Sequence, residues 1–213
     1  NLPDHGTRGV FMGFDFHLEG DTPRLIEINT NAGGALLNTL LRRNQLPCCD
    51  LMRPFGVDNA WAQSRGDLFA KSFVHEWQHA GRTGEPRVVA IVDDEPEQQF
   101  LYAEFRLFAR LFEQVGWRAL VVDAAQLQLV DGRLCANGEI IDLVYNRLTD
   151  FDLSEPRHAP LKQAWLKGAV VLTPDPRHHA LYADKRNLVR LSDQSLLSTI
   201  DVAVADRAQL SQV

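Results

Sequence analysis

Arg87-Val88-Val89-Ala90-Ile91-Val92-Asp93 is an unbroken apolar run closed by a charge at each end. It shows no polar alternation, so the strand it predicts must be covered on both faces, as in a parallel sheet packed between helices. The same style continues downstream. Residues 97–115 predict an amphipathic helix, with Phe100, Leu101, Phe105, Phe108, Leu111 and Phe112 at helical spacing and Gly116 as the stop. WRALVVD (117–123) is a second apolar strand, QLQLVDGRLC (126–135) a small hairpin, and IIDLVYN (140–146) a further strand. A helix over 156–167, ended by Gly168, and the strand AVVLT (169–173) complete the series. This rhythm predicts an α/β layer with a parallel sheet. Asp93-Asp94-Glu95-Pro96 reads as the cap of the following helix. No G-x-G-x-x-G follows RVVAIVD, which argues against a dinucleotide site.

Upstream the pattern differs. Residues 9–18 have β character, Gly20-Asp21 is a turn signal and 24–29 is a second strand, so 9–29 predicts a β-hairpin. Simple alternation places Leu25, Glu27 and Asn29 on one face, with Ile26 and Ile28 on the other. A small-residue loop, Asn31-Ala32-Gly33-Gly34-Ala35, leads into a helix over 36–43. Residues 45–59, interrupted by Pro47, Pro54 and Gly56, read as irregular, and Asn59 to His79 as a long helix. Gly81, Gly84 and Pro86 mark a boundary.

Composition bounds the function. A chain of 213 residues, 45% hydrophobic and 23% charged, suits one large or two small domains with a sizeable core. A net charge of −6 argues against a broad nucleic-acid or anionic-membrane surface. No apolar run reaches a membrane span and no signal peptide opens the chain. The three cysteines, Cys48, Cys49 and Cys135, make no disulfide framework, so a reducing cytoplasm is the expected home. Cys48-Cys49 lacks zinc-knuckle spacing and reads as two small residues in a partly buried loop.

Asp15, Glu27 and Asn29 carry the first candidate chemistry. Hairpin pairing can bring Asp15 beside Glu27 and Asn29, and two carboxylates with an amide oxygen are hard ligands suited to Mg²⁺ or Mn²⁺. The loop containing Asn31, Gly33 and Gly34 is expected to present backbone N–H groups and a helix N-terminus to an anion. On pattern alone an ordinary acidic surface strand fits as well. A second candidate is His75-Glu76-Trp77-Gln78-His79, a literal H-E-x-x-H, which on a helix sets two His for Zn²⁺ and a Glu for general base catalysis. A zinc metallohydrolase needs a third ligand, with Glu97 and Glu104 as candidates. The plain alternative is a solvated helix end, where His residues favour the C-terminal dipole. A third reading is a non-catalytic ligand-binding module on the α/β layer.

Gly13-Phe14-Asp15 followed by Leu25-Ile26-Glu27-Ile28-Asn29-Thr30-Asn31-Ala32-Gly33-Gly34 resembles the closing metal motif of the ATP-grasp superfamily, as in bacterial glutathione synthetases. Val144-Tyr145-Asn146-Arg147-Leu148-Thr149-Asp150-Phe151-Asp152, then GAVVLTP (168–174) and Ala183-Asp184-Lys185-Arg186-Asn187-Leu188, resemble the junction between the pre-ATP-grasp domain and the nucleotide-binding lobe, although the proline pair found there is absent.

The resemblance implies that Asp15, Glu27 and Asn29 hold the Mg²⁺ (or Mn²⁺) of ATP, that Lys185 contacts phosphate, and that Arg147 clamps a carboxylate or acylphosphate. An internal salt bridge from Arg147 to Asp150 or Asp152 is the alternative. Because the metal motif precedes the α/β layer, the order resembles circularly permuted ATP-grasp proteins. The implied architecture is a Rossmann-like pre-ATP-grasp sheet plus parts of a permuted lobe. Residues 1–45 would be the metal-binding part, 46–84 a helical connector, 85–176 the α/β domain and 177–213 the start of the ATP lobe. The second phosphate-binding Lys and glycine-rich flap have no match, so the implied site is incomplete, with the rest expected after Val213. The implied activity is ATP-dependent ligation of a small carboxylate to an amine or thiol.

Overall fold

The computed structural model describes residues 2–45, 48–52 and 55–210; Pro47 and Pro54, read above as breaks, lie outside the described residues. Its centre is a four-stranded parallel sheet of β3 (Val88–Asp93), β4 (Arg118–Asp123), β8 (Leu143–Asn146) and β9 (Val171–Thr173), in the order β4-β3-β8-β9. The chain leaves β3 toward β4 and later returns to the opposite side of β3 as β8. The carboxyl ends of β3 and β8 therefore flank a topological switch point, where open α/β sheets form a crevice.

Alternation along the strands splits the core in two. Val89 and Ile91 face one side, with Phe105, Phe108 and Phe112 of α3 (Tyr102–Gln114) and Phe73 of α2 (Asn59–His79). Ala90 and Val92 face the other, with Leu161 and Trp165 of α4 (Ala159–Leu166) and Leu134 of a small antiparallel sheet. That sheet comprises β5 (Gln128–Val130), β6 (Arg133–Ala136) and β7 (Glu139–Ile140). The first layer is aromatic: Phe73 meets Phe112 edge-on at 4.8 Å, and both are fully buried. Each such ring contributes about 1.5–3 kcal/mol from burial. Because α2 shares this core, the boundary expected near 84–86 divides elements that pack together.

The hairpin forms from β1 (Gly13–Glu19) and β2 (Thr22–Asn29), and α1 (Ala35–Asn44) follows its loop. After β9, four short helices follow among the described residues: α5 (Pro176–Tyr182), α6 (Arg186–Ser192), α7 (Gln194–Thr199) and α8 (Val204–Leu210). No helix among the described residues is long and apolar enough to cross a membrane.

Several expectations change. A β-bulge follows the Asp15–Glu27 pair, so Leu25 pairs with Phe16 and leaves the face of Glu27 and Asn29. The helix expected from 97 begins only at Tyr102, after a turn of 3-10 helix at Pro96–Gln98, and Phe100 is left 97% exposed. Glu95 takes φ 44° and neither Asp93 nor Asp94 caps the helix. Cys48 and Cys49 are exposed, because their segment lies outside both cores.

Candidate functional site

Asp15 stands directly opposite Glu27 in the hairpin, and Gly13 opposite Asn29. Antiparallel partners project to the same face, so Asp15, Glu27 and Asn29 share one. Helix α6 packs against β2 and carries Lys185 at its N-cap. Lys185 Nζ lies 3.1 Å from Glu27 Oε2, with both side chains substantially exposed. An exposed ion pair of this kind is worth about 0–1 kcal/mol. Its significance is positional: two distant segments place a cation beside a carboxylate pair. Asp184 turns away to Arg186, whose guanidinium and backbone N–H hold its carboxyl down at about 2. Asn29 Oδ1 accepts from the Asn31 N–H at 2.9 Å, which leaves its second lone pair for a ligand.

The loop after β2 is held from below. Arg147, 7% exposed, donates from Nη1 to Asn31 Oδ1 (2.5 Å) and the Ala32 carbonyl (3.1 Å), and from Nη2 to the Asn31 carbonyl (3.2 Å). Asp150 pairs instead with His158, so Arg147 serves as a loop anchor in place of the alternative salt bridge to that aspartate. Glu104, 1% exposed, accepts from the Gly34 N–H at 2.5 Å and the Leu36 N–H at 2.9 Å. The helix N-terminus expected to face an anion thus already holds the protein's own carboxylate. The glycines answer to space: Gly34 has φ 90°, and a Cβ on Gly33 would sit 2.5 Å from Leu101 and 2.9 Å from Arg147.

The H-E-x-x-H segment is used differently from the zinc reading. Glu76 is buried and accepts from the Arg8 N–H (3.0 Å), the Gly9 N–H (3.0 Å) and the Thr173 hydroxyl (2.6 Å). Thr173 Oγ1 in turn accepts from the Val10 N–H at 2.9 Å. His75 and His79 lie exposed on the helix. Glu97 and Glu104 do not join them in a metal-spaced group among the described residues. A carboxylate saturated by backbone donors is not free to activate a zinc-bound water, and here it pins the segment before β1 to β9. Beside it, His178 Nε2 donates to the Thr7 carbonyl at 2.7 Å, and the Thr7 hydroxyl donates to Asp175 at 3.0 Å.

Sequence reasoning missed a cluster at the switch point. His158, fully buried, sets Nδ1 2.7 Å from Asp150 Oδ2 and Nε2 3.0 Å from Asp94 Oδ1. Burial opposes its charge, yet the hydrogen bonds to Asp94 and Asp150 outweigh it and raise its pKa above the ordinary range. Asp150 also suffers from burial, but donors from Glu155 N–H, His158 and Ser154 bring it below the usual carboxylate range. Neighbouring Asp93 is pushed up to about 6 by burial, partly relieved by the Asp94 N–H and Arg147. The one linear signal was Glu155-x-x-His158, far too short to be specific.

Compared with known proteins, the chain matches no family model and no curated sequence.

Proposed function

We propose that this chain carries metal- and phosphate-binding residues of an ATP-dependent carboxylate–amine or carboxylate–thiol ligase of the circularly permuted ATP-grasp kind. The observation that carries the reading is the meeting of Lys185 with Glu27, opposite Asp15. Two segments singled out separately along the chain share one exposed face. The four-stranded parallel sheet is compatible with the pre-ATP-grasp layer of that reading.

In this reading Asp15, Glu27 and Asn29 would hold Mg²⁺, and the ion would supply positive charge to neutralise phosphate oxygens. Lys185 supplies a point charge to phosphate, next to those ligands. A substrate carboxylate attacks the γ-phosphorus and ADP leaves; the amine or thiol then adds to the acylphosphate carbonyl and inorganic phosphate departs. Arg147 acts as a positioning residue: its guanidinium fixes the carbonyls of Asn31 and Ala32, so the loop that carries Asn31 and Gly33 keeps its shape beside the metal ligands. Glu104 occupies the amides of Gly34 and Leu36, so the phosphate contacts fall to Lys185 and the metal rather than to that helix end.

Titration of this chain with a fluorescent ATP analogue tests the proposal. Binding should require Mg²⁺, and Glu27→Gln and Lys185→Met should each weaken it about tenfold, or ~1.4 kcal/mol. Absence of binding, or binding indifferent to Mg²⁺ and to both variants, rejects it.

A further inference from the structure

We propose that Asp94, Glu155 and His158 form a site for a divalent first-row transition-metal ion at the switch point of the parallel sheet, apart from the hairpin. The ligand atoms of the three residues all lie within 4.8 Å of one another. Asp94 comes from the loop after β3, and Glu155 and His158 from the turn that opens α4, so two loops converge from the two sides of the crevice.

The orientation of His158 carries the argument. Asp150 Oδ2, 2.7 Å from Nδ1, is itself fixed by donors from Ser154 Oγ (3.0 Å) and Glu155 N (2.8 Å). Both ring nitrogens face carboxylates, which only accept, so the metal-free ring donates to Asp150 from Nδ1 and to Asp94, 3.0 Å away, from Nε2. A metal ion bound at Nε2 would take the place of that second proton, while Nδ1–H stays on Asp150. Carboxylate orientation of the far ring nitrogen is the arrangement that positions metal-binding histidines. One imidazole and two carboxylates suit Zn²⁺ or Mn²⁺, and leave positions for water or an anionic oxygen.

Arg157 now neutralises the cluster, with Nε 3.1 Å from Glu155 Oε2 and Nη1 3.7 Å from Asp94 Oδ1. It is half-exposed, so it can swing to solvent as the ion enters. Glu155 is exposed, so its carboxylate can turn to the ion once Arg157 withdraws.

Chelator-treated protein carrying Cys48→Ser and Cys49→Ser, which removes competing thiols, is titrated with Zn²⁺ while ¹H–¹⁵N spectra follow the histidine rings. The His158 Nε2 signal should move as one ion binds, with Nδ1–H retained. Glu155→Gln, a surface change that leaves the fold intact, should weaken binding at least about tenfold, and Asp150→Asn by about 10–100-fold. Arg157→Gln should tighten it. A stationary His158 signal, or Glu155→Gln binding as tightly as its parent, overturns the proposal and leaves an imidazolium ion pair. Asp15→Asn and Lys185→Met should leave this binding unchanged, so its failure is independent of the ligase reading.

Discussion

Glu76 and Glu104 show how a charged residue enters a core: each carboxylate answers two backbone N–H groups from a distant segment. Glu76→Gln sets an NH₂ group against one of those donors. We expect a loss of about 1–3 kcal/mol in urea unfolding, with metal content unchanged. A catalytic zinc base would show the reverse, activity lost and stability kept. His179 gives a pH prediction. Its ring stacks on Phe151 at 3.7 Å, and burial holds its pKa below the ordinary value, with Asp152 opposing. The unfolded chain therefore takes up this proton at higher pH than the folded chain. The contribution is intact above about pH 6.5 and is lost as pH falls through the folded value. His179→Phe, which keeps the stacking, should flatten that acid-side loss when unfolding free energies are compared between pH 7 and 5.

At the level of elements, strands and helices were legible because burial is written along them residue by residue. The helix Asn59–His79 and the strands of the parallel sheet follow the apolar pattern closely. The hairpin also formed, but its faces did not follow simple alternation. The extra residue at the bulge moves Leu25 across, and no local signal announces a bulge. The start of α3 was misjudged for a related reason. Phe100 matches the helical period, yet the 3-10 turn at Pro96–Gln98 rotates it into solvent. The segment before β1 is an element defined by contact alone. Gly6 has φ 91°, and a Cβ there would lie 2.0 Å from the His79 carbonyl oxygen. Since no rotamer relieves a clash between backbones, Gly6→Ala should cost at least ~2 kcal/mol in chemical denaturation. Gly20→Ala, with φ 62° and open space around it, should cost only about 1 kcal/mol.

Across the whole molecule, the layered arrangement places the Asp94–His158 cluster at the carboxyl ends of the central strands and the Lys185–Glu27 pair on the hairpin outside the sheet. The apolar face of the hairpin remains open, with Phe14, Phe16 and Leu18 all more than half exposed, while its polar face meets Lys185. Amino-acid order alone determined the α/β class, the parallel sheet and the hairpin, because apolar periodicity is a local property that survives without any knowledge of partners. It also singled out Asp15, Glu27, Asn29, Arg147 and Lys185. Only the tertiary structure decided what those residues touch. It set Lys185 beside Glu27, turned Arg147 and Glu104 onto the glycine loop, gave Glu76 to the backbone of Arg8 and Gly9, and enclosed His158 between Asp94 and Asp150. Each of these pairings joins residues from different elements, and hydrogen-bond geometry between them exists only once the layers have packed.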